Sequence, residues 1–268
     1  MTFPFTSGSE VSMSRRFVLL GTLALFGGSA LTLGTKAHAG ARTPAVSALS
    51  ATDSEEIALG AALARQFDST RGIRPTPESD RIQAYLQGIA DSLGRFTKRK
   101  LPWTIHFDPH PGIKSGFALP GGHIVIWGGI LSYMGTEDEA AAVIAHEIEH
   151  IDNGQVSRRI DSLVTTEHRD VTNASQWRWG EFGASYGQVL EYRCDSLGAE
   201  LVVKAGYSPY AYKTMMESFI ALGKVHAPNA APARELTDRI AQIERQIAEM
   251  HWDTLTRTRP LRLPGTGG

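Results

Sequence analysis

Two of the nine histidines in this 268-residue chain stand four residues apart with a carboxylate directly after the first, as His146-Glu147-Ile148-Glu149-His150. On an α-helix that spacing stacks both imidazoles on one face, about 6 Å apart at Cβ, within reach of one tetrahedral zinc. Glu147 follows about 100° further around the helix, beside the metal. From there its carboxylate can hold a zinc-bound water and take its proton, the general-base part of metal-assisted peptide hydrolysis. The pattern fixes only three positions and arises by chance on the order of a few per cent of the time, so the flanking residues must decide.

They support it. Thr136 is an N-cap before three acids, Glu137, Asp138 and Glu139, and the alanine-rich run Ala140 to Ala145 is strong helix-forming sequence. Both histidines thus fall within a well-signalled helix, with Ile144 and Ile148 on the opposite, buried side. Glu149 lies on the mirror-image flank from Glu147 and reads as a solvated or salt-bridged charge with no catalytic part.

A catalytic zinc needs a third protein ligand and an open fourth position. Glu191-Tyr192-Arg193-Cys194-Asp195, in a helix-patterned segment from about 184 to 205, offers two carboxylates on one face. One can ligate zinc while the other accepts the Nδ1 proton of a ligand histidine and fixes its tautomer. The metzincin pattern would need a histidine at Val156, and is excluded. Cys194, the single cysteine, has no partner for an internal disulfide. It reads as a small buried residue, about 60° from Glu191 on the helix and with a shorter reach to the metal.

Three segments in order, Gly116 to Ile124, His146 to His150 and Glu191 to Asp195, resemble the HtpX/CAAX-prenyl-protease (Ste-type) family of gluzincin zinc metallopeptidases, especially its soluble BepA-like and Oma-type members. The resemblance runs over roughly residues 55 to 245. It implies one Zn2+ per chain on His146, His150 and Glu191, Glu147 as the base, and Asp195 as support behind a ligand. It also implies that His123, Ile124, Val125 and Ile126 form a sheet edge along which substrate adds as a strand. The chain departs from the family at Ser115, Glu149, Gln155 and Cys194, none of which removes a ligand. A further family motif survives only as Pro232 followed by Arg239-Ile240, without its histidine. His226 is the nearest substitute for an oxyanion or regulatory role.

Helices are expected at 52–69, 77–96, 137–152, 184–205, 209–223 and 232–250. Alternation at 103–107 and 123–127, with 116–119 between them, predicts strands, and the turns at 108–112 and 120–122 predict an antiparallel sheet. The fold class is therefore α+β, mostly helical, with a small antiparallel sheet packed by the active-site helices. Residues 153–183 read as an irregular polar insertion ending in Trp177-Arg178-Trp179-Gly180, suited to a mobile flap over the cleft.

Residues 1–39 concern destination. Arg15-Arg16 opens an apolar stretch to about Thr35, and Ala37-His38-Ala39 is a cleavage signature, so the segment reads as a secretory signal peptide. The paired arginines point to the twin-arginine route, although Val18 and Leu20 replace its usual Phe and Lys. Met13 could equally be the start, and an uncleaved signal would leave the protein membrane-associated. The domains are then 1–39 signal, 40–251 metallopeptidase, and 252–268 a flexible tail, disordered or draped on the surface.

With 27 basic and 28 acidic residues, a nucleic-acid partner is not expected. No other apolar run reaches the ~20 residues that span a bilayer, so the mature form is expected to be soluble. The whole reads as a periplasmic or secreted zinc endopeptidase acting on protein or peptide substrates. A metal-binding chaperone or assembly factor with weak or no proteolysis is the alternative.

Overall fold

Thr52, Thr76 and Thr136 each start a helix by the same device. The threonine hydroxyl accepts the backbone N–H three residues on, and the side chain there, Glu55, Ser79 or Glu139, returns to the threonine's own N–H. The computed structural model describes residues 51–71, 74–226 and 232–264, without the side chains of 222–226, 232 and 233. Along the chain come α1 (Asp53–Thr70), α2 (Pro77–Gly94), β1 (Thr104–Asp108), β2 (Gly116–Leu119), β3 (His123–Trp127), α3 (Gly128–Leu131), α4 (Glu137–Asp152), α5 (Gln155–Glu167), α6 (Gln188–Lys204), α7 (Tyr210–His226) and α8 (Pro232–Glu249). The mostly helical α+β class holds, and the signal segment 1–39 lies outside the described residues.

The sheet is mixed rather than antiparallel. Its order is β1-β3-β2, with β3 parallel to β1 and antiparallel to β2. The reason lies in the connections. Residues 120–122 turn tightly and pair β2 with β3, whereas 109–115 carry the chain past the place β3 will take and deliver it to the far edge. Gly121 sits at φ +70, and a Cβ there would meet the α1 backbone at Ile57 Cα, 2.5 Å away, so the turn can press against α1 only without a side chain.

β3 is therefore the central strand, which removes His123, Ile124, Val125 and Ile126 as a free edge. β1 is not free either. Its outer N–H groups at Ile105 and Phe107 donate to the Gln87 and Gln83 side chains of α2, and Arg71 binds Phe107 O. Among the described strands, β2 forms the other edge of the sheet.

One sheet face carries His106, Phe117, His123 and Trp127 towards α1, where Phe67 meets Phe117 and Trp127 edge-on. The other carries Ile105, Phe107, Ala118, Ile124 and Ile126, all buried, and packs on α2 and α4. Burying these apolar side chains is the main source of stability, at about 1.5–3 kcal/mol for each large one. Beyond the sheet, α4 packs on α6 and α7, and α8 closes over α6 and α7.

The supposed flap is mostly ordered and packed. α5 occupies its first half, and Trp177 and Phe182 are fully buried, stacked at 6.4 Å. Gln66 of α1 binds both Trp177 O and Trp179 N, fixing the loop at its aromatic end. The tail is draped as far as 264 and also tied down. Arg259 donates its N–H to the buried Asp138, Thr136 pairs with Pro260, and Leu261 N–H donates to Gly135 O. Among the described residues no helix is long and apolar enough to cross a membrane.

Candidate metal centre

The capping box at Thr136 and the first-turn acids of α4 fix where the helix begins, and its alanines let α6 approach closely. The helix then presents His146 and His150 on one face towards Glu191 of α6. His146 Nε2 lies 3.1 Å from His150 Nε2 and 3.1 Å from Glu191 Oε2, and His150 Nε2 lies 3.8 Å from that same oxygen. Donors about 2.05 Å from a tetrahedral zinc sit about 3.3 Å from one another. The measured separations straddle that value. Among the described residues this is the group whose ligand atoms cluster in this way, all within 4.8 Å.

The tautomers agree with the distances. His146 Nδ1–H donates to Asp195 Oδ1 at 2.9 Å and His150 Nδ1–H to Gln155 Oε1 at 2.7 Å, so each Nε2 lone pair points into the centre. Two lone pairs and a carboxylate oxygen converging within hydrogen-bond distance repel unless a proton or a metal cation lies among them. The titration behaviour shows the same demand for positive charge, met by His146 when no metal is bound. Burial disfavours charge on His146, yet Asp195 and Glu191 outweigh it and push the imidazole up to about 10, while burial and the neighbouring His146 push His150 down to about 4. Burial would raise Glu191, but His146, His150 and Arg239 hold it well below the carboxylate range. The residues present therefore fit a zinc ion, with His146, His150 and Glu191 to hold it.

Glu147 stands where the helix geometry predicts. It is 8% exposed, and burial pushes it up to about 7; a cation in the triad pulls it back down. The Ala118 N–H, on the outer edge of β2, faces its carboxylate and favours its charged form slightly. A Cβ on Gly116 would lie 3.7 Å from Glu147 Oε1. The base candidate and the outer strand edge thus share one cleft.

Around the triad, several partners had gone unassigned. Arg239 of α8 grips the fully buried Asp195 from behind with two short contacts, Nε to Oδ2 at 2.5 Å and Nη2 to Oδ1 at 2.6 Å. The Arg239-Ile240 remnant was visible in the sequence; its role was not, although a buried aspartate beside a histidine demands a cation. Gln155, noted only as a departure from a family pattern, fixes His150 and also donates to Cys194 Sγ at 3.1 Å. Ser185 Oγ and Tyr186 N–H both bind Glu191 Oε1, leaving Oε2 turned to the centre. The Tyr186 ring stacks on His150.

Other expectations fall differently. Cys194 is buried, as a small packing residue should be. Glu149 is not solvated. It is 5% exposed, pushed up to about 7 by burial and by nearby Asp152, and bound by the Asn153 amide. The α4 flank that carries Glu149 packs closely, so little of this carboxylate meets solvent. His226 ends α7, and its side chain lies outside those described.

Comparison with known proteins gives a consistent picture. The profile of peptidase family M48 matches residues 77–262. The mitochondrial metalloendopeptidase OMA1 of Schizosaccharomyces pombe is 26% identical over 180 residues, covering 58% of this chain and 52% of that protein. The mitochondrial metalloendopeptidase OMA1 of Arabidopsis thaliana is 27% identical over 121 residues, covering 41% of this chain and 24% of that protein. The chain thus spans about half the length of the first relative and about a quarter of the second.

Proposed function

The chain belongs to peptidase family M48, and on that premise we propose that it is a zinc-dependent endopeptidase, exported by its N-terminal segment, that cleaves proteins of the cell envelope. The observation that carries the catalytic part is the convergence of two Nε2 atoms and one carboxylate oxygen at tetrahedral-edge distances, each imidazole pinned at its other nitrogen.

Zinc held there would polarise the scissile carbonyl and make an adjacent water acidic. Glu147 orients that water, takes its proton, and passes it to the leaving amine. Asp195, clamped by Arg239, keeps the His146 proton on Nδ1, and Gln155 does the same for His150. The peptide lies along the outer edge of β2, where its backbone pairs with the strand's outward groups and its scissile bond comes up against Glu147. That moves the substrate edge from β3 to the neighbouring strand.

The test combines zinc content with casein degradation. The purified protein should hold about one zinc and lose activity to a chelator. Glu147→Gln should keep the zinc and lose at least ~10²-fold in hydrolysis. Equal proteolysis by the two proteins at matched zinc content refutes the mechanism and favours a metal-binding chaperone. Export is tested separately by replacing Arg15 and Arg16 with Lys. That variant should stay uncleaved in the cytoplasm if the twin-arginine machinery reads the signal, and unchanged delivery assigns it to the general secretory route.

A further inference from the structure

Peptide hydrolysis builds negative charge on the carbonyl oxygen, and effective sites place a hydrogen-bond donor where that charge develops. Around the triad most side-chain donors are already committed. The Ser185 hydroxyl is given to Glu191 Oε1, the Gln155 amide to Cys194 Sγ, and the Arg239 guanidinium to Asp195.

Among the described residues Tyr186 is the exception. Its ring stacks on the ligand His150, with centroids 4.6 Å apart and planes 29° from parallel. Arg159 lies 4.1 Å from the same ring and is itself fixed by the Glu181, Ala184 and Ser185 carbonyls. The backbone N–H of Tyr186 is tied to Glu191. The ring is therefore held against His150, and the residue's backbone against Glu191. Its hydroxyl is nevertheless buried without a hydrogen-bond partner.

An orphaned buried hydroxyl is costly and rare enough to need a reason. Tyr212 has the same defect, but it is wedged into the helix core, 1.9 Å from where a Gly198 Cβ would stand, and it feels Asp195 and Arg239 behind the ligand histidine rather than the open side of the triad. The Tyr186 hydroxyl instead feels Arg159, then Glu147 and Glu191, the two carboxylates that flank the metal position. Enclosure is no obstacle to substrate. His150 and Glu147 are just as buried, so a carbonyl that reaches the metal enters the same layer.

We infer that Tyr186 is a further catalytic residue, whose hydroxyl donates a hydrogen bond to the scissile carbonyl oxygen as charge develops on it. The inference rests on the peptidase reading above. No bond to the tyrosine forms or breaks, and its proton stays on the phenol oxygen throughout.

Tyr186→Phe deletes the hydroxyl and keeps the stacked ring. Zinc content and the urea midpoint should match wild type or improve, since an unpartnered polar atom is gone. On a fluorogenic casein peptide that wild type cleaves, kcat should fall ~10²–10³-fold with KM within about twofold. A phosphinic peptide, whose tetrahedral oxygen imitates the charged carbonyl, should bind weaker by a similar factor by calorimetry. The uncleaved peptide, measured in a Glu147→Gln background, should bind equally well with or without the hydroxyl. A kcat within about threefold of wild type, or undiminished phosphinic-peptide affinity, overturns the assignment. So does loss of zinc in Tyr186→Phe, which would make the residue a support for His150. A zinc-loaded wild type that neither cleaves casein nor binds the phosphinic peptide fails at the earlier step and removes the peptidase reading itself.

Discussion

Replacing Arg239 with Met should destabilise the metal-free protein more than any loss of surface charge could. Asp195 is wholly buried, and both of its oxygens are gripped by Arg239, at 2.5 and 2.6 Å, while Oδ1 also accepts from His146. Removing the guanidinium leaves the buried carboxylate with His146 alone, which the metal-free site holds protonated. Breaking a buried ion pair from one side costs about 3–5 kcal/mol where the remaining charge keeps no partner, and the retained imidazolium places this loss at the lower end of that range. For a folded unit of this size each kcal/mol moves the midpoint about 2–4 °C, so the thermal shift should be on the order of 10 °C. Asp195→Asn combined with Arg239→Met removes both charges together and should recover at least about 2 kcal/mol relative to the sum of the single variants. Urea unfolding in excess chelator is the assay, since bound zinc would otherwise add its own linkage to the folded state. A loss below about 1 kcal/mol in Arg239→Met, or strict additivity in the double variant, would refute the claim that the pair is one electrostatic unit.

Gln155→Ala frees His150 Nδ1 from its acceptor and should weaken zinc binding by about 10 to 100-fold in a chelator competition, whereas unchanged affinity would show that another acceptor fixes the tautomer. The His123 pair makes a pH prediction away from the metal. Burial, with His106 beside it, pushes His123 down to about 4 against the opposing charge of Asp68, and Arg65 adds a little in the same direction as His106. Unfolded, an imidazole titrates near 6.5. Between these values the unfolded chain binds more protons, so this contribution is complete above about pH 6.5 and is lost as pH falls towards 4. In metal-free protein the fall in urea midpoint between pH 7 and 5 should be smaller in His123→Gln than in wild type; equal slopes would contradict it.

What could be read from the sequence follows the range over which each signal acts. The spacing of His146 and His150, the Thr136 cap and the placing of Glu191 and Asp195 on one face are all properties of a single helix. The structure puts these residues where a single helix requires. The alternation that gave the strands is equally local, and their positions held to within a residue. Strand order is different. Nothing in Gly116 to Trp127 says that β1 will lie beyond β3 in a parallel pairing, because the crossing is made by the 109–115 connection and the β1 edge is then closed by α2. The central position of His123 to Ile126 was hidden for that reason. Composition also misled at 153–183, where a polar run still folded α5 and sank Trp177 and Phe182 into the core.

The groups missed around the metal share one physical trait, which is that each answers a demand made by a residue far away in sequence. Asp195 is buried by the packing of α4, α6 and α8, and only that burial makes a guanidinium necessary; Arg239 meets the need from 44 residues on. His150 needs an acceptor for its Nδ1 proton, and Gln155 can supply one because Gly154, at φ +69, turns the chain back at the end of α4. Glu191 needs one oxygen held so that the other faces the centre, and the Ser185 hydroxyl and the Tyr186 N–H do this before α6 begins. A histidine pair with its glutamate therefore announces the chemistry, while the polarity and aim of each ligand are set by tertiary contacts that no short motif contains. The Tyr186 hydroxyl fits the same logic with the sign reversed. Among the described residues it is the donor beside the triad whose demand the folded protein leaves unmet, as a group reserved for the substrate must be.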